Sequence, residues 1–398
     1  MSMNATPSGE RLHIGIFGKR NAGKSSLINA ITGQSLAVVS EVPGTTTDPV
    51  SKAMELLPIG PIVLIDTPGI DDEGELGKER VKKSYQVLRR VDGAILVING
   101  RNFSAEDKRL LHAIQEQNIP YMLVYNKCED TILESENLSG NEIAVSAKTG
   151  MHINLLRERM GKIFYKTDAK QRMIADLIQP KDFVVLVVPI DEAAPKGRLI
   201  LPQQQTIRDV LEAGAVAITT KETELAATLS SLGKAPAVVV TDSQAFEIVN
   251  QIVPQEIPLT SFSILMARYK GVLLQAAQSV MAVDTLQEKD RVLIAEGCTH
   301  HRQCNDIGTC KLPKWIEGYT GKKLQFEFCS GSEFPENVQQ YQLIVHCGGC
   351  MLQEREVQRR LSVAQRQNVP MTNYGMLIAY IHGILKRSAT LFPDLIKI

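Results

Sequence analysis

Residues with metal-binding side chains are concentrated in the C-terminal part of the sequence. The stretch EGCTHHRQCNDIGTC, residues 296–310, contains three cysteines, two adjacent histidines and an aspartate. Further along, the stretch VHCGGC at 345–350 adds a His-Cys pair and a Cys-x-x-Cys spacing. The resulting pattern, C-x-H … H-C-x-x-C, is formed by Cys298, His300, His346, Cys347 and Cys350. Thiol and imidazole groups at such spacing predict a metal centre.

The spacing alone leaves the identity of the metal open. Three thiolates can hold three corners of a 4Fe-4S cube, whose fourth iron then stays open or takes a weaker oxygen or nitrogen ligand. The same residues also suit a structural, tetrahedral Zn²⁺ ion. Inert buried cysteines are a third interpretation. Cys304, Cys310 and Cys329 are expected to be free thiols, although the first two lie close enough to Cys298 in sequence to replace it.

A phosphate-binding loop lies near the other end of the sequence. Residues 18–25, GKRNAGKS, fit G-x-x-x-x-G-K-S/T between a predicted strand, LHIGIFG, and a predicted helix. The glycines let the backbone wrap phosphates, and the helix N-terminus supplies positive potential. We expect Lys24 to reach the β- and γ-phosphates and Ser25 to bind Mg²⁺. The nucleotide-binding candidates of this loop are Gly18, Asn21, Ala22, Gly23, Lys24, Ser25 and Ser26.

Two further segments are expected to complete the site for Mg²⁺ and the γ-phosphate. Asp66-Thr67-Pro68-Gly69 ends the strand IVLID, so that Asp66 would hold Mg²⁺ through water and the Gly69 N–H would contact the γ-phosphate. In PGTTTD, residues 43–48, Thr46 is the candidate second Mg²⁺ ligand. Such a loop orders around the γ-phosphate and relaxes after hydrolysis. The predicted catalytic residues are Lys24, Asp66, Gly69 and Asn21.

Two motifs predict that the base is guanine. Asn126-Lys127-Cys128-Glu129 follows the strand YMLVY, and Ser146-Ala147-Lys148 follows EIAV. They resemble the N-K-x-D and S-A-K motifs of small GTP-binding proteins, in which the carboxylate binds the N1 and N2 donors of guanine. Glu129 occupies that position here, with Asp130 next to it. Adenine offers no matching pair of donors, so GTP is the predicted nucleotide.

The residue that activates water is not evident. Ras-like enzymes place a water-orienting glutamine directly after D-x-x-G, where this sequence has Ile70. Asn21 and the GTTTD loop resemble the TrmE–Era–EngA group, some members of which use a K⁺ ion near the β- and γ-phosphates. By this resemblance Asn21 is a candidate K⁺ ligand, and ordinary loop hydrogen bonding is its alternative role.

The elements that must position these residues alternate between strands and helices, which predicts an α/β protein. Residues 8–166 are predicted to form a P-loop GTPase domain with a doubly wound, mostly parallel sheet. Residues 181–268 form a second α/β domain without a phosphate loop, metal cluster or catalytic set. Residues 269–398 form an α/β metal-cluster domain, in which strands RVLIAEG and YQLIVHCGG lead into the two halves of the cysteine pattern. No internal repeat is evident.

Composition excludes some functions. The 398 residues include 44 Lys plus Arg and 44 Asp plus Glu, so net charge gives no reason to expect nucleic acid or an anionic membrane as partner. The N-terminal residues lack an apolar secretory core, and apolar runs such as FVVLVVPI are too short to span a membrane. A cytoplasmic protein is expected. In a reducing cytosol the clustered cysteines are expected to be metal ligands or catalytic groups and not disulfides.

The combination of these motifs resembles the HydF family, the maturation GTPases of FeFe-hydrogenase, over essentially the whole chain. The GTPase motifs are widely shared, and the C-x-H … H-C-x-x-C pattern joined to them makes the resemblance specific. It implies a homodimeric scaffold that binds a 4Fe-4S cluster and carries a precursor of the di-iron subcluster. It further implies transfer to the apo-hydrogenase, in concert with two radical-SAM maturases.

The resemblance also assigns roles to residues. Cys298, Cys347 and Cys350 become the thiolates of the cluster, which favours iron–sulfur over zinc. His300 and His346 become auxiliary or exchangeable ligands near the open iron, and Asp306 in the same loop is a further oxygen ligand candidate. The middle domain, residues 181–268, would mediate dimerisation.

Two other functions remain open. An RNA-modification or ribosome-assembly GTPase with a structural zinc domain would share the phosphate loop and bind RNA in a salt-dependent way. The neutral net charge and sparse aromatic residues of the C-terminal domain argue against it. A redox- or metal-sensing switch would change its GTPase rate when the metal centre is lost.

Overall fold

The computed structural model describes residues 11–33, 50–70, 74–100, 102–129, 138, 140–165, 172–190, 199–297, 306–331 and 333–395. The chain divides into two compact units, Met1–Asp168 and Ala169–Ile398. The described part contains no helix that is both long and apolar enough to cross a membrane.

The first unit is built on a six-stranded sheet in the order β2-β3-β1-β4-β5-β6. Strand β2 runs antiparallel to β3, and the other pairs are parallel, as predicted for a doubly wound sheet. Its elements in chain order are β1 (Leu12–Gly18), α1 (Lys24–Thr32), β2 (Val50–Leu56), β3 (Gly60–Asp66), α2 (Gly74–Leu88), β4 (Gly93–Asn99), α3 (Ala105–Glu116), β5 (Tyr121–Asn126), β6 (Glu142–Ala144) and α4 (Ile153–Ile163).

The central strands of this sheet are apolar throughout because both of their faces are covered. Ile14 and Ile16 of β1 point into one core, whereas Phe17 points into a second core on the opposite face. Side chains alternate across a strand, so an uninterrupted apolar run is what burial on two faces requires. The buried sheet is a rigid scaffold, and the nucleotide motifs lie in the loops that follow the carboxyl ends of its parallel strands.

The second unit contains two four-stranded parallel sheets, ordered β10-β9-β7-β8 and β12-β11-β13-β14. One continuous hydrophobic core runs through both, so the predicted boundary between residues 268 and 269 falls inside it. The elements of the first sheet and its helices are β7 (Phe183–Val187), α5 (Leu201–Glu212), β8 (Val216–Thr220), α6 (Leu225–Ser231), β9 (Val238–Thr241), α7 (Phe246–Ile252), β10 (Leu259–Ser261), α8 (Phe262–Tyr269) and α9 (Leu273–Ser279). Those of the second are β11 (Arg291–Ala295), α10 (Leu312–Thr320), β12 (Gln325–Cys329), β13 (Leu343–His346), α11 (Glu354–Arg366), β14 (Met371–Asn373), α12 (Tyr374–Ile381) and α13 (Leu385–Ala389).

The two sheets repeat one another, contrary to the expectation of no internal repeat. The first strand of each sheet is central, the second lies on one side of it, and the third and fourth lie on the other. The pairing registers also agree: Val187 pairs with Thr220 and Thr241, just as Ala295 pairs with Cys329 and His346. We call residues 172–279 the first repeat and residues 280–395 the second repeat.

The sequence signal of this duplication is confined to turns and caps. Lys181 and Lys289 precede the two central strands in the turns QPKD and QEKD, with φ of 69° and 68°. The last strand of each repeat, together with the start of the helix that follows it, reads IPLTSF in one repeat and VPMTNY in the other. Elsewhere any apolar residue of suitable size can fill the core, so strand sequences diverge while the fold is kept.

Helices are exchanged between the repeats. Helix α9 of the first repeat packs on β14 of the second, and α13 of the second packs on β10 of the first. Arg387 of α13 donates hydrogen bonds to the carbonyl oxygens of Val253, Pro254 and Ile257 in the first repeat. The two repeats therefore form one structural unit.

Candidate functional site

The phosphate loop is a tight turn between β1 and α1 that depends on two glycines. Gly18 and Gly23 have φ of 143° and 90°, which disfavour residues with a side chain. A Cβ atom would lie 2.3 Å from the Val97 carbonyl oxygen at Gly18, and 2.3 Å from Asn126 Nδ2 at Gly23. Helix α1 begins directly after this turn, at Lys24, so its unpaired N–H groups form an anion-binding site.

Lys24 is held over the loop by backbone carbonyl groups. Its ammonium group donates hydrogen bonds to the carbonyl oxygens of Gly18 and Lys19, at 2.9 and 2.8 Å, and the side chain is buried. Asn21, with φ of 60°, is exposed on the same loop. This arrangement keeps a cation where phosphate oxygens can replace the two carbonyls.

Ser25 and Asp66 meet as predicted for a Mg²⁺ site. The Ser25 hydroxyl donates to Asp66 Oδ2 at 2.5 Å. Burial raises the pKa of Asp66, and its other oxygen, Oδ1, is buried with no hydrogen-bond partner among the described residues. An orphaned carboxylate oxygen beside a hydroxyl fits a hydrated Mg²⁺ ion. Thr46, the other predicted Mg²⁺ ligand, lies outside the described residues.

The loop that contains Gly69 is tied to the core on both sides. Thr67 Oγ1 donates to the Ile16 carbonyl oxygen at 2.7 Å, and Ser84 Oγ of α2 donates to the Pro68 carbonyl oxygen at 3.0 Å. A movement of Gly69 toward a γ-phosphate would therefore be transmitted to α2.

Asn126 joins the three loops of the nucleotide site. Its side-chain amide donates to the Ala22 carbonyl oxygen at 2.9 Å and accepts from the Ala147 N–H at 3.0 Å. Lys127 Nζ donates to the Asn21 carbonyl oxygen at 2.6 Å. The motifs that we predicted from spacing thus meet in space.

Glu129 presents an ionised carboxylate at the base-reading position. A hydrogen bond from its own backbone N–H, and one from Ser146 Oγ at 2.8 Å, lower the pKa of Glu129. Lys148 is exposed two residues beyond Ser146. Asp130 lies outside the described residues, so Glu129 is the acidic residue that the structure places next to the S-A-K motif.

Cys347 and Cys350 follow the carboxyl end of β13, and the adjacent parallel strand β11 leads into the segment that contains Cys298. The chain leaves β11 toward one side of the sheet and continues from β13 toward the other, and such switch points are where open α/β sheets bind ligands. Gly297, which follows β11, donates its N–H to Cys347 Sγ at 3.0 Å. This contact brings the segment that leads into Cys298 against the second half of the pattern. Cys298 and His300 themselves lie outside the described residues.

Residues 346–350, here called the cysteine turn, wrap around the sulfur of Cys347. Gly349 has φ of 65°, and its N–H donates to Cys347 Sγ at 3.3 Å. At Gly297 a Cβ atom would lie 2.9 Å from Leu352 Cγ, so this position has no space for a side chain. Two N–H donors on one sulfur suit a thiolate that binds iron, because such bonds stabilise the anionic sulfur and tune a cluster.

Burial opposes ionisation of the thiols in the cysteine turn. Burial raises the pKa of the Cys347 thiol to about 11 and also raises the pKa of Cys350. Lys270 opposes this rise at Cys350; its buried ammonium donates to the Leu352 carbonyl oxygen at 2.7 Å. A metal supplies the missing charge because it binds thiolates. The turn therefore fits a thiolate-bound metal group, although the described residues alone include no set of three or more ligands at one point.

His346 has no ring nitrogen free for a metal. Its Nε2 lies 3.1 Å from Arg360 Nη1, which can only donate, so Nε2 accepts and Nδ1 carries the proton. That proton is donated to the Cys347 carbonyl oxygen at 2.7 Å. Burial and the charge of Arg360 lower the pKa of His346 to about 4, so the ring is neutral. The geometry thus speaks against the prediction that His346 is an exchangeable ligand.

Asp306 caps a helical turn. Its Oδ2 accepts from the Thr309 N–H at 2.9 Å and from Thr309 Oγ1 at 3.0 Å, at the start of the π-helical turn Ile307–Lys311. A local capping role therefore accounts for the aspartate, and its proposed role as an oxygen ligand has no further support from these contacts.

Three buried polar residues at this site were missed by sequence reasoning. Glu296 is buried beside Tyr374, whose hydroxyl donates to Oε1 at 3.4 Å, and Arg360 lies fully inside the unit. In sequence, Glu296 reads as the polar end of a strand. Arg360 reads as one of many charges on a polar helix. The only signal was the position of Glu296 between a strand and a cysteine.

Comparisons with known proteins divide the chain close to the limits of the first unit and of the two repeats. A family model described as a hydrogen maturase F dimerization domain matches residues 173–271, and one described as a hydrogen maturase F tetramerization domain matches residues 274–391. A model described as a 50S ribosome-binding GTPase matches residues 13–127. The N-terminal unit is therefore a GTPase domain.

Curated relatives match only part of the chain. The tRNA modification GTPase MnmE of Legionella pneumophila (strain Paris) is 36% identical over 152 residues, which is 37% of this chain and 34% of the relative. MnmE of Nitrosomonas europaea is 30% identical over 190 residues, 44% of this chain and 42% of the relative. The chain thus spans less than half the length of these relatives.

Solved structures also resemble part of the chain. Era in complex with MgGDPNP and a segment of 16S ribosomal RNA has a TM-score of 0.35 and 19% identity, covering 52% of this chain and 91% of Era. The G domain of the T. maritima FeoB iron transporter has a TM-score of 0.29 and 24% identity, covering 39% of this chain and all of that domain.

Proposed function

The chain belongs to the hydrogen maturase F family, and on this basis we propose that it is a GTP-hydrolysing scaffold that binds a 4Fe-4S cluster. Its cargo would be a precursor of the di-iron subcluster, which it delivers to apo FeFe-hydrogenase. The observation that carries the proposal is the hydrogen bond from Gly297 N–H to Cys347 Sγ, at 3.0 Å. It supports the convergence of Cys298, Cys347 and Cys350 on one group.

The residues of the cysteine turn have distinct tasks in this proposal. Cys347 and Cys350, with Cys298, hold three corners of the cluster, and the N–H groups of Gly297 and Gly349 stabilise the Cys347 sulfur. The bound cluster would supply an iron with an exchangeable position to which the cargo can attach. His300 stays a candidate for a weak ligand at that position, as does Asp306.

The nucleotide site is proposed to bind GTP with Mg²⁺. Lys24 would bind the β- and γ-phosphates, Ser25 and Thr46 would hold Mg²⁺ with Asp66 behind them, and Gly69 would contact the γ-phosphate. Asn21, exposed on the phosphate loop, remains a candidate K⁺ ligand. The base contacts would come from Asn126, Lys127, Glu129, Ser146, Ala147 and Lys148.

The chain carries dimerization and tetramerization domains of its family, and these support self-association. We propose a homodimer as the minimal assembly. The proposed partners are apo FeFe-hydrogenase and the two radical-SAM maturases, with the cytoplasm as the compartment.

Iron and sulfide content with EPR on anaerobically purified protein tests this function. We expect about four irons per chain. Replacing Cys347→Ser should remove most of the iron and leave GTP hydrolysis within about twofold, because the GTPase motifs lie in the other unit. Cys329→Ser, which changes a thiol of the same sheet outside the pattern, should keep its iron. A colourless wild-type protein that contains one zinc per chain would refute the proposal.

An RNA-linked GTPase with structural zinc is the second candidate, because the curated relatives are tRNA modification GTPases. It requires affinity for RNA that falls steeply with salt. Filter binding with total RNA at moderate salt separates the two: retention of RNA by zinc-loaded protein supports this candidate, and iron-loaded protein without retention supports the scaffold.

A further inference from the structure

An arginine is fully buried in the second repeat, behind the cysteine turn. Arg360 of α11 donates from Nε to Glu356 Oε1 at 3.0 Å and from Nη2 to the Gly331 carbonyl oxygen, and its guanidinium stacks on the Phe334 ring at 5.1 Å. Its relative exposure is 0%. Burying a charge is costly even when it is paired, so such a network is retained where it specifies a particular arrangement.

The third nitrogen of this guanidinium, Nη1, is directed at the cysteine turn. Arg360 Nη1 lies 3.1 Å from His346 Nε2, and the proton on His346 Nδ1 is donated to the Cys347 carbonyl oxygen at 2.7 Å. This carbonyl belongs to the peptide that starts the two-glycine segment. The peptide held in this way directly precedes the one whose Gly349 N–H donates to Cys347 Sγ.

The first repeat offers a comparison inside the same chain. The position of His346 is occupied there by Thr241, and that of Cys347 by Asp242, as the shared strand register shows. The described residues of the first repeat include no buried arginine, and its helix α7 has 7 residues where α11 has 13. The longer helix and the buried guanidinium are thus found together with the cysteines.

We propose that Arg360 acts through His346 as a positioning pair that holds the cysteine turn in the conformation that binds the metal cluster. Arg360 fixes the histidine tautomer, and the histidine fixes the Cys347 peptide. This inference rests on the proposed function, since it assigns a task toward the proposed cluster. The pair sets how tightly the iron is retained and leaves nucleotide hydrolysis unchanged.

A matched pair of variants tests this role. Arg359 and Arg360 both form ion pairs with Glu356, but in the described contacts Arg360 alone bonds His346. Loaded Arg360→Met should lose iron to a ferrous chelator about ten times faster than wild type, in line with other residues that orient metal ligands. Its EPR signal should broaden. Arg359→Met should stay within about twofold of wild type in both readouts.

A second pair covers the case in which Arg360→Met fails to fold. His346→Gln keeps one acceptor and one donor, and should retain iron nearly as wild type does, whereas His346→Leu should lose it as fast as Arg360→Met. Equal rates for wild type, His346→Leu and Arg360→Met would overturn the inference while the scaffold proposal stands. A wild-type chain that takes up no iron would instead refute the proposed function itself.

Discussion

At the scale of single residues, the cysteine turn depends on glycines, whose lack of a side chain leaves space for close contacts. Gly297 brings its N–H within 3.0 Å of the Cys347 sulfur because it has no Cβ to collide with Leu352. The same logic applies at Gly18 and Gly23 in the phosphate loop. In both sites a glycine makes room for the close approach of another part of the chain.

Gly297→Ala tests this dependence. The added carbon would lie 2.9 Å from Leu352 Cγ, so the strand end must shift and the N–H···S bond must lengthen. We expect iron content after anaerobic reconstitution to fall at least severalfold. Gly318→Ala is the control, because an added Cβ meets nothing within 4 Å and alanine favours the helix. Full loading of Gly297→Ala would contradict this account.

Short motifs were predictable at this scale because neighbouring residues define them. GKRNAGKS, D-T-P-G, N-K-C-E and S-A-K are each defined by local spacing, and in the structure Asn126 contacts the first and the last of them through Ala22 and Ala147. The role of His346 was not predictable. It depends on Arg360, whose burial is decided by the packing of α11 and not by any neighbour in sequence.

At the scale of elements, α3 braces the phosphate loop. Ser104 and Asp107 form a capping box at its start, and Glu106 of its first turn forms an ion pair with Lys19 at 3.0 Å. The hydrogen bond from Lys19 lowers the pKa of Glu106 to about 2. The pair links the helix to the loop that would hold phosphate.

This ion pair predicts a pH dependence. Because the folded-state pKa of Glu106 lies below its ordinary value of 4.5, the pair stabilises the fold above that pH and loses its effect as pH falls toward 2. The difference in melting temperature between wild type and Glu106→Gln should therefore narrow over this interval, and also in high salt. A difference in melting temperature that stays constant with pH would show that the ion pair does not contribute to stability. Glu158→Gln, at an exposed position of α4 for which the described residues show no ion pair, is the control.

At the scale of the whole molecule, duplication explains why two stretches of unlike sequence form one unit. The elements could be predicted, since strand and helix patterns are local. Their equivalence could not, because it is encoded in strand register and in the exchange of α9 and α13 between repeats. Residues 172–279, whose sequence has no phosphate loop, metal cluster or catalytic set, are the structural counterpart of the repeat that carries the cysteines.

Arg387→Ala tests the cooperativity of the repeats. The side chain donates hydrogen bonds from the second repeat to backbone carbonyls of the first, so its removal leaves several acceptors unpaired and should cost about 2–3 kcal/mol. Hydrogen exchange measured by mass spectrometry on the full chain should accelerate equally in β9 and β13. Faster exchange in only one repeat would indicate independent folding. The exposed Arg366→Ala should change neither.

Lys270 belongs to the repeat that has no cysteines, yet its buried ammonium ends on the carbonyl of Leu352, next to the turn that has them. One positive charge that acts on Cys350 is thus supplied by the first repeat, whereas the thiol belongs to the second. A graft of the second repeat onto a foreign protein would carry the cysteines of the pattern and leave this positive charge behind. To keep this contact, the whole second unit would have to be transferred together.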